Sequence, residues 1–356
     1  MKKLLSLFIM AIMVCAVIPA VIANDTGTDI TPDVTTEDFA PIVWMCDQRA
    51  VCDDRVEPGT TPGECLKERE QNYAFTGESI AWTVLVMDKN GINKVEDVYA
   101  TVGSVQGEGN NIEVNCVPMS EGNNRVMESC NARILEEKIK EFNPLIMKYY
   151  RCTLTVETPE SMYGEFWITV EATDLDGLQG TMDENEYWFL NPVIAISKDG
   201  SLAFEDVRPG TTAYSDTLLI GNDADDGSGV RLEMFVSGTD FYDSSSSGAM
   251  CPSSNVLALN NFRYYATNGY YSTANVGGVG PYAADAEGYM GIPSGDRITQ
   301  AKEIIGTEMY SPSIVSSIGN VLTPGSELAV TFKLQLPEPC NGDFDSGSIY
   351  FWGEAI

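Results

Sequence analysis

Histidine is missing from all 356 residues. That absence removes Ser–His–Asp and Cys–His nucleophile pairs, histidine-ligated zinc and a histidine general base. Basic residues are scarce, with 21 Lys and Arg against 52 Asp and Glu, a formal charge of −31. A nucleic-acid surface needs a basic footprint, so nucleic acid is excluded as a partner. No cysteines form a C-x-x-C pair, which argues against a zinc ribbon or a thioredoxin-like redox site. Beyond the first two dozen residues there is no second apolar run long enough to span a membrane. The chain is not a disordered acidic polymer, because 44% hydrophobic and 10% aromatic residues suffice to bury cores. No catalytic constellation is visible. The chain is read as non-enzymatic, and the functional expectation is a class and not a reaction.

What is present begins with an export signal. Lys2 and Lys3 form a short basic region, Leu4 to Ile18 is almost wholly apolar, and Pro19 breaks the stretch. Val21-Ile22-Ala23 supplies the small-residue end that signal peptidase prefers. Residues 1–23 are therefore read as a signal peptide, with Asn24 as the mature N-terminus. An uncleaved anchor is the competing reading, since the run approaches a spanning length of ~20 residues. Cleavage removes Lys2, Lys3 and Cys15, taking the charge from −31 to −33 and the cysteines from nine to eight. An even number in an exported chain reads as a disulfide framework, in a secreted, extracellular or cell-surface protein with no membrane span.

Residues 24–45 read as a flexible acidic leader, with Asn24 in a glycosylation sequon and Pro41–Met45 as a possible first strand. From about Ala74 the period of two that marks strands takes over. Ile80, Trp82, Val84 and Val86 share a face, as do Ile112, Val114 and Cys116. Cys152, Leu154 and Val156 follow, then Phe166, Ile168, Val170 and Ala172. This cadence predicts an Ig-like antiparallel sandwich over 46–195. Cys116 and Cys152 both fall on apolar faces, which predicts a bond between them across the core. Cys46, Cys52, Cys65 and Cys130 stay unassigned. Leu135, Ile139 and Phe142 stand at helical spacing, stopped by Asn143-Pro144, and predict one short helix.

Asn191-Pro192 and Lys198-Asp199-Gly200 bracket a boundary near 195. A second sandwich is expected over 196–356. Val230, Leu232, Met234 and Val236 alternate with Arg231, Glu233 and Phe235, and Leu328, Val330, Phe332, Leu334 and Leu336 alternate without a break. Each alternation predicts one buried and one wet face. Thr299 to Ile305 is a second short helix. Cys251 and Cys340 pair as the two cysteines of this half, closing a long loop worth ~4–5 kcal/mol in the chain-entropy model. The loop holds a Tyr/Gly-rich insertion, 262–295, with Tyr264, Tyr265, Tyr270, Tyr271, Tyr282 and Tyr289. Tyrosine offers large contact area at little entropy cost. The insertion is read either as a surface for subunits or glycans or as a self-packed cover.

Acidic turns suggest calcium as an optional ligand, through Asp174, Asp176, Asp223, Asp225 and Asp226. No cofactor is required, and Asp-Gly turns are ordinary hairpin chemistry. The acidity also fits life in high salt.

The second half resembles the TasA/camelysin-like secreted β-sandwiches. The resemblance lies in Phe204-Glu205-Asp206-Val207-Arg208-Pro209-Gly210, Leu219-Ile220-Gly221-Asn222, Gly238-Thr239-Asp240-Phe241 and the final Gly347-Ser348-Ile349-Tyr350-Phe351-Trp352-Gly353-Glu354-Ala355. It implies extracellular fibre subunits, some of which hand an N-terminal strand to a neighbour. The first unit looks like Ig-like modules of archaeal surface proteins. This chain departs from the pattern by its extra unit, its cysteines and its Tyr/Gly-rich insertion.

The expectation is a secreted cell-surface structural or interaction protein of an archaeal envelope. It would be a fibre or layer subunit assembled through sandwich edges, with self-association or other envelope proteins as partners. The alternative is an adhesin binding glycans through the tyrosine-rich loop. A remote alternative, a carboxylate hydrolase, predicts a cleft with two carboxylates ~5–10 Å apart.

Overall fold

The computed structural model describes residues 33–53, 66–69, 71–106, 112–120, 125–131, 141–182, 186–276, 280–306, 309 and 318–356. Asn24 and Cys65 lie outside them. Residues Phe39–Ile356 form one compact unit.

The period-two stretches of the first half become β1 (Ile42–Asp53), β2 (Leu66–Arg69), β3 (Tyr73–Ala74), β4 (Ser79–Met87), β5 (Val95–Gly103), β6 (Ile112–Pro118), β7 (Met147–Thr155), β8 (Gly164–Asp174), β9 (Gln179–Met182) and β10 (Tyr187–Leu190). They make one continuous sheet in the order β2-β1-β4-β7-β6-β5-β8-β10-β3, with β9 on β8. The β10–β3 pair is parallel, and the other pairs are antiparallel. The sheet curls back on itself. A side chain at Gly180 in β9 would strike the Pro41 carbonyl, so β9 lies directly against the start of β1. Ile80, Trp82, Val84 and Val86 of β4 share the enclosed core with Val98, Ala100 and Val102 of β5 and with Phe166, Ile168 and Val170 of β8.

The expected wet face of β4 is dry. Leu85 and Met87 pack with Trp44, Val126, Phe142, Met147 and Tyr149 in a second, smaller core. Phe142 stacks on Tyr149 with ring centroids 5.3 Å apart. A one-turn helix, α1 (Glu128–Asn131), belongs to this flap, and Cys46–Cys130 ties the flap to β1. The helix expected over Leu135–Phe142 lies outside the described residues, except for Glu141, which bridges to Arg125, and Phe142. The possible first strand at Pro41–Met45 is the opening of β1, which runs on to Asp53 through a bulge between Cys46 and Ala50.

The second half contributes β11 (Ile196–Asp199), β12 (Thr212–Tyr214), β13 (Leu218–Asn222), β14 (Leu232–Gly238), β15 (Phe262–Asn268), β16 (Tyr271–Ser272), β17 (Met290–Gly291), β18 (Lys302–Glu303), β19 (Val321–Leu322), β20 (Glu327–Gln335) and β21 (Ile349–Ala355). One sheet runs β11-β13-β20-β15-β16, with β12 on β20 and β17 on β15. The other runs β18-β14-β19, with β21 on β14. Between them lie Leu328, Val330, Phe332 and Leu334 of β20, Phe262, Tyr264 and Ala266 of β15, and Leu232, Met234 and Val236 of β14. The protein is all-β, built as antiparallel sandwiches.

Three expectations change here. β14 is buried along its whole length, so it has no wet face. Thr299–Ile305 is not a helix. A single 3-10 turn, Ile298–Gln300, runs straight into β18. The stretch read as an insertion opens with β15, a central strand pairing with β20 over six positions.

The two halves share their packing. Tyr73 and Phe189, from the first half, sit in the core of the second. The Tyr73 hydroxyl donates to the Ile356 carbonyl at 2.7 Å. Asn191, at positive φ of 51°, pins the crossover. Its Oδ1 accepts from the Thr76 amide at 2.7 Å, and its Nδ2 donates to the Glu157 and Met162 carbonyls. Such convergence is what holds a non-glycine residue in the left-handed region.

Candidate functional site

The outward side of the seven-stranded sheet is set by parity. Along β15, Phe262, Tyr264 and Ala266 point into the core, which leaves Arg263 and Tyr265 outside. Register places Lys333 of β20 between Tyr214 of β12 and Arg263 of β15. Arg263 Nη1 donates to the Ala283 and Tyr289 carbonyls, both at 3.0 Å, and so straps the 280–289 loop over this face. Three half-exposed or exposed rings gather there. Tyr289 lies 5.7 Å from Tyr214 and 5.6 Å from Tyr265, centroid to centroid.

Charge is concentrated on the same patch. Lys333 Nζ meets Asp285 at 3.0 Å and Glu287 at 2.8 Å, and it lies 5.5 Å from the Tyr289 ring centroid. The Tyr214 hydroxyl donates to Glu287 at 3.0 Å. The bond to Lys333, helped by the one from Tyr214, holds the Glu287 carboxyl below its ordinary range. At Asp285 burial pushes the carboxyl up, but Lys333 and the amides of Tyr289 and Glu287 outweigh it. Aromatic faces beside fixed carboxylates suit a polyhydroxylated or protein surface, since stacking and hydrogen bonding are offered together.

The six tyrosines singled out from sequence do not form one surface. Tyr264 is fully buried, and that corrects its reading as a contact residue. Its hydroxyl accepts from Lys302 Nζ at 2.7 Å and donates to the Ile304 carbonyl at 2.8 Å. Lys302 is itself fully buried, and burial drops its pKa to about 7. Tyr265 and Tyr289 join the patch, and Tyr282 is half-buried. Tyr270 and Tyr271 stand at the β15–β16 hairpin tip, where Tyr270 is 88% exposed. Sequence reading missed Tyr214, Arg263, Lys333, Asp285 and Glu287. The parity of β15 would have exposed Arg263, but the loop contacts have no sequence signal.

The acidic turns are occupied by their own backbone. Asp174 is buried and accepts from the Asp176 and Leu178 amides at 3.0 and 2.7 Å. Asp176 pairs with Lys94 at 2.6 Å. Asp225 accepts from the Tyr163 hydroxyl at 3.0 Å and the Val193 amide at 2.8 Å, at the junction of the halves. Asp223 and Asp226 are exposed. Among the described residues no three acidic or cysteine side chains are grouped to hold a metal.

The cystines are Cys46–Cys130, Cys116–Cys152 and Cys251–Cys340, and Cys52 is also disulfide-bonded. Cys116 and Cys152 are direct ladder partners on β6 and β7. Their bond therefore joins neighbouring strands and does not cross the core. Cys340 borders a cavity of about 800 Å³ under the Leu202–Pro209 segment. Phe204, Phe241, Leu257, Phe262 and Phe344 line it together with Glu205, Asp206, Asn341 and Asp343, so its wall mixes apolar and polar surface. No helix among the described residues is long and apolar enough to cross a membrane.

No protein family model matches the chain. An uncharacterized protein of Methanocaldococcus jannaschii is 26% identical over 280 residues, covering 72% of this chain and 79% of that protein. Among solved structures, the C-terminal domain of the Streptococcus agalactiae AgI/II polypeptide BspA aligns over 89% of this chain and 97% of its own, at 10% identity and a TM-score of 0.26. A chaperone–tip adhesin complex of CFA/I fimbriae aligns over 89% and 92%, at 8% identity and a TM-score of 0.23. Scores this low leave neither structure a guide to this fold.

Proposed function

We propose that the chain is a secreted, non-enzymatic structural or interaction protein of an archaeal cell envelope. It works as a subunit of an extracellular fibre or layer joined through sandwich edges. The observation that carries this reading is a seven-residue apolar edge strand, β21, left half-exposed along its length. Unpaired edge groups are ready-made sites for another strand. The export signal, the disulfides and an archaeal relative support the compartment and source. Light scattering on the mature, oxidised protein at rising concentration, with and without calcium, tests the reading. Mass growth is the expected result, and a strict monomer throughout overturns it.

A second reading, an adhesin for surface glycans, draws support from the exposed Tyr270–Tyr271 tip and the Tyr214–Tyr265–Tyr289 patch. A glycan array probed with wild type, the Tyr270→Ala/Tyr271→Ala variant and Tyr289→Ala separates the two surfaces. Binding retained by both variants dismisses them.

A further inference from the structure

β21 (Ile349–Ala355) stands apart from the other strand edges. β11 is four residues long and carries Lys198 and Asp199. β2 is equally short and contains Lys67, Glu68 and Arg69. β3 and β16 have two residues each. Short length and charge are the usual protections of a sheet edge. β21 has neither. It runs seven residues in unbroken register with β14, with no proline, no basic residue and a single charge, Glu354.

Its hydrogen bonds fix which groups face outward. The Thr239 amide donates to the Ser348 carbonyl at 2.8 Å, and the Ile356 amide donates to the Arg231 carbonyl at 3.0 Å. Even-numbered residues of β21 therefore bond to β14. By the alternation of antiparallel ladders, Ile349, Phe351, Gly353 and Ala355 aim their N–H and C=O groups away from it. Among the described residues no strand pairs with that side.

We infer that β21 pairs antiparallel with β21 of a second copy of this chain, about a twofold axis at Trp352. This deepens the edge-assembly reading above and rests on it. The register is the one that uses the whole strand. Ile349 then faces Ala355 of the second copy, and Phe351 faces Gly353 of the second copy. All four are outward-bonding positions, and each pair exchanges both N–H···O=C bonds. At Gly353 the space beside the backbone is filled by Ile196 Cδ1 and Leu232 Cδ1 of the same copy, so the pairing rests on the backbone ladder and not on a ring seated over the glycine. The polar groups are compatible as well. Glu354 meets Tyr350 of the second copy, a hydroxyl donor, and the two Glu354 carboxylates stay at opposite ends. Trp352 meets itself at the centre. The two molecules are strongly acidic, so added salt screens their repulsion and favours the pair.

The test uses the full oxidised chain in sedimentation velocity at several concentrations and salt levels. A dimer that strengthens with salt is expected. Gly353→Pro removes an outward N–H without touching a β14 bond and weakens the dimer by more than about tenfold; its ring also meets Ile196 and Leu232, so a lowered Tm accompanies the loss. Trp352→Cys cross-links with itself under oxidation. Tyr350→Cys alone does not, but it does when mixed with Glu354→Cys. An oligomer that survives Gly353→Pro while Trp352→Cys stays uncross-linked overturns β21 as the contact and leaves assembly through another edge standing. A monomer under all conditions overturns both readings.

Discussion

The two halves of this molecule staple themselves differently. The first has a long staple, Cys46–Cys130, with partners 84 residues apart, and adds a short one, Cys116–Cys152, whose cysteines sit opposite each other in a ladder that hydrogen bonds already hold. In the second, Cys251 and Cys340 lie outside every named strand and join segments 89 residues apart. Both halves bury polar groups, but their ionisable ones differ. The first half buries the carboxylates Asp88 and Asp174 at turns and the amide Asn191 at the crossover. The second places an ammonium group, Lys302, inside its sandwich. A cystine between paired strands reinforces local order, whereas one between distant segments constrains the unfolded chain most.

The largest expected effect comes from the distant staple. Replacing Cys251 and Cys340 together by serine costs about 4–5 kcal/mol in urea unfolding, against about 4 kcal/mol for the Cys116/Cys152 pair with its separation of 36 residues. A larger loss at Cys116/Cys152 would break the comparison and point to native-state effects.

Lys302 sharpens it from the opposite direction. Burial lowers its pKa from 10.5 to about 7. Between those values the unfolded chain binds the extra proton, so native stability rises with pH across that window. Lys302→Met removes this slope and raises stability at pH 7 by roughly a few kcal/mol, because the Tyr264 hydroxyl keeps the Ile304 carbonyl. Urea melts at pH 7 and pH 9.5 check both points. An unchanged slope means the ammonium is solvated.

At the crossover, Asn191→Ala deletes bonds to Thr76, Glu157 and Met162. The expected loss is about 2–3 kcal/mol, read as a drop in Tm. The smallest effect is a gain. Asp88 is fully buried, and burial, reinforced by the nearby Asp174 charge, raises its pKa despite the bond from the Asn90 amide. Its contribution is best below the ordinary carboxylate range and is lost as pH rises through the raised value. Asp88→Asn removes that loss and lifts Tm slightly at pH 7, with less gain at pH 4.

Much of the fold was readable because strands with one apolar stripe announce themselves. The alternations of β8, β20 and β6 in sequence are the buried positions in the structure. Reading failed where a strand is covered on both sides. β4 and β14 show a period of two, yet the flap around Phe142 dries the second face of β4, and β14 is buried at every position. It failed again at β15, whose tyrosines look like loop chemistry until β20, some seventy residues on, supplies the pairing. Lys302 was illegible because its acceptors, the carbonyls of Glu303 and Gly306, are created by the local backbone path. The aromatic patch was half legible. Tyr265 and Tyr289 were visible, but Tyr214 and Lys333 join them only through sheet register, and Glu287 only through the loop that Arg263 straps down.

Tyr73 and Phe189 lend their rings to a core otherwise made by the second half. A gene cut between Leu190 and Ile196 would thus deprive the carboxyl fragment of two aromatic plugs and bare the same rings on the amino fragment. Each piece expressed alone should be sticky and poorly soluble, and the two produced together should find each other. For anyone trimming this protein toward a smaller scaffold, the sequence-drawn border is the wrong place for scissors.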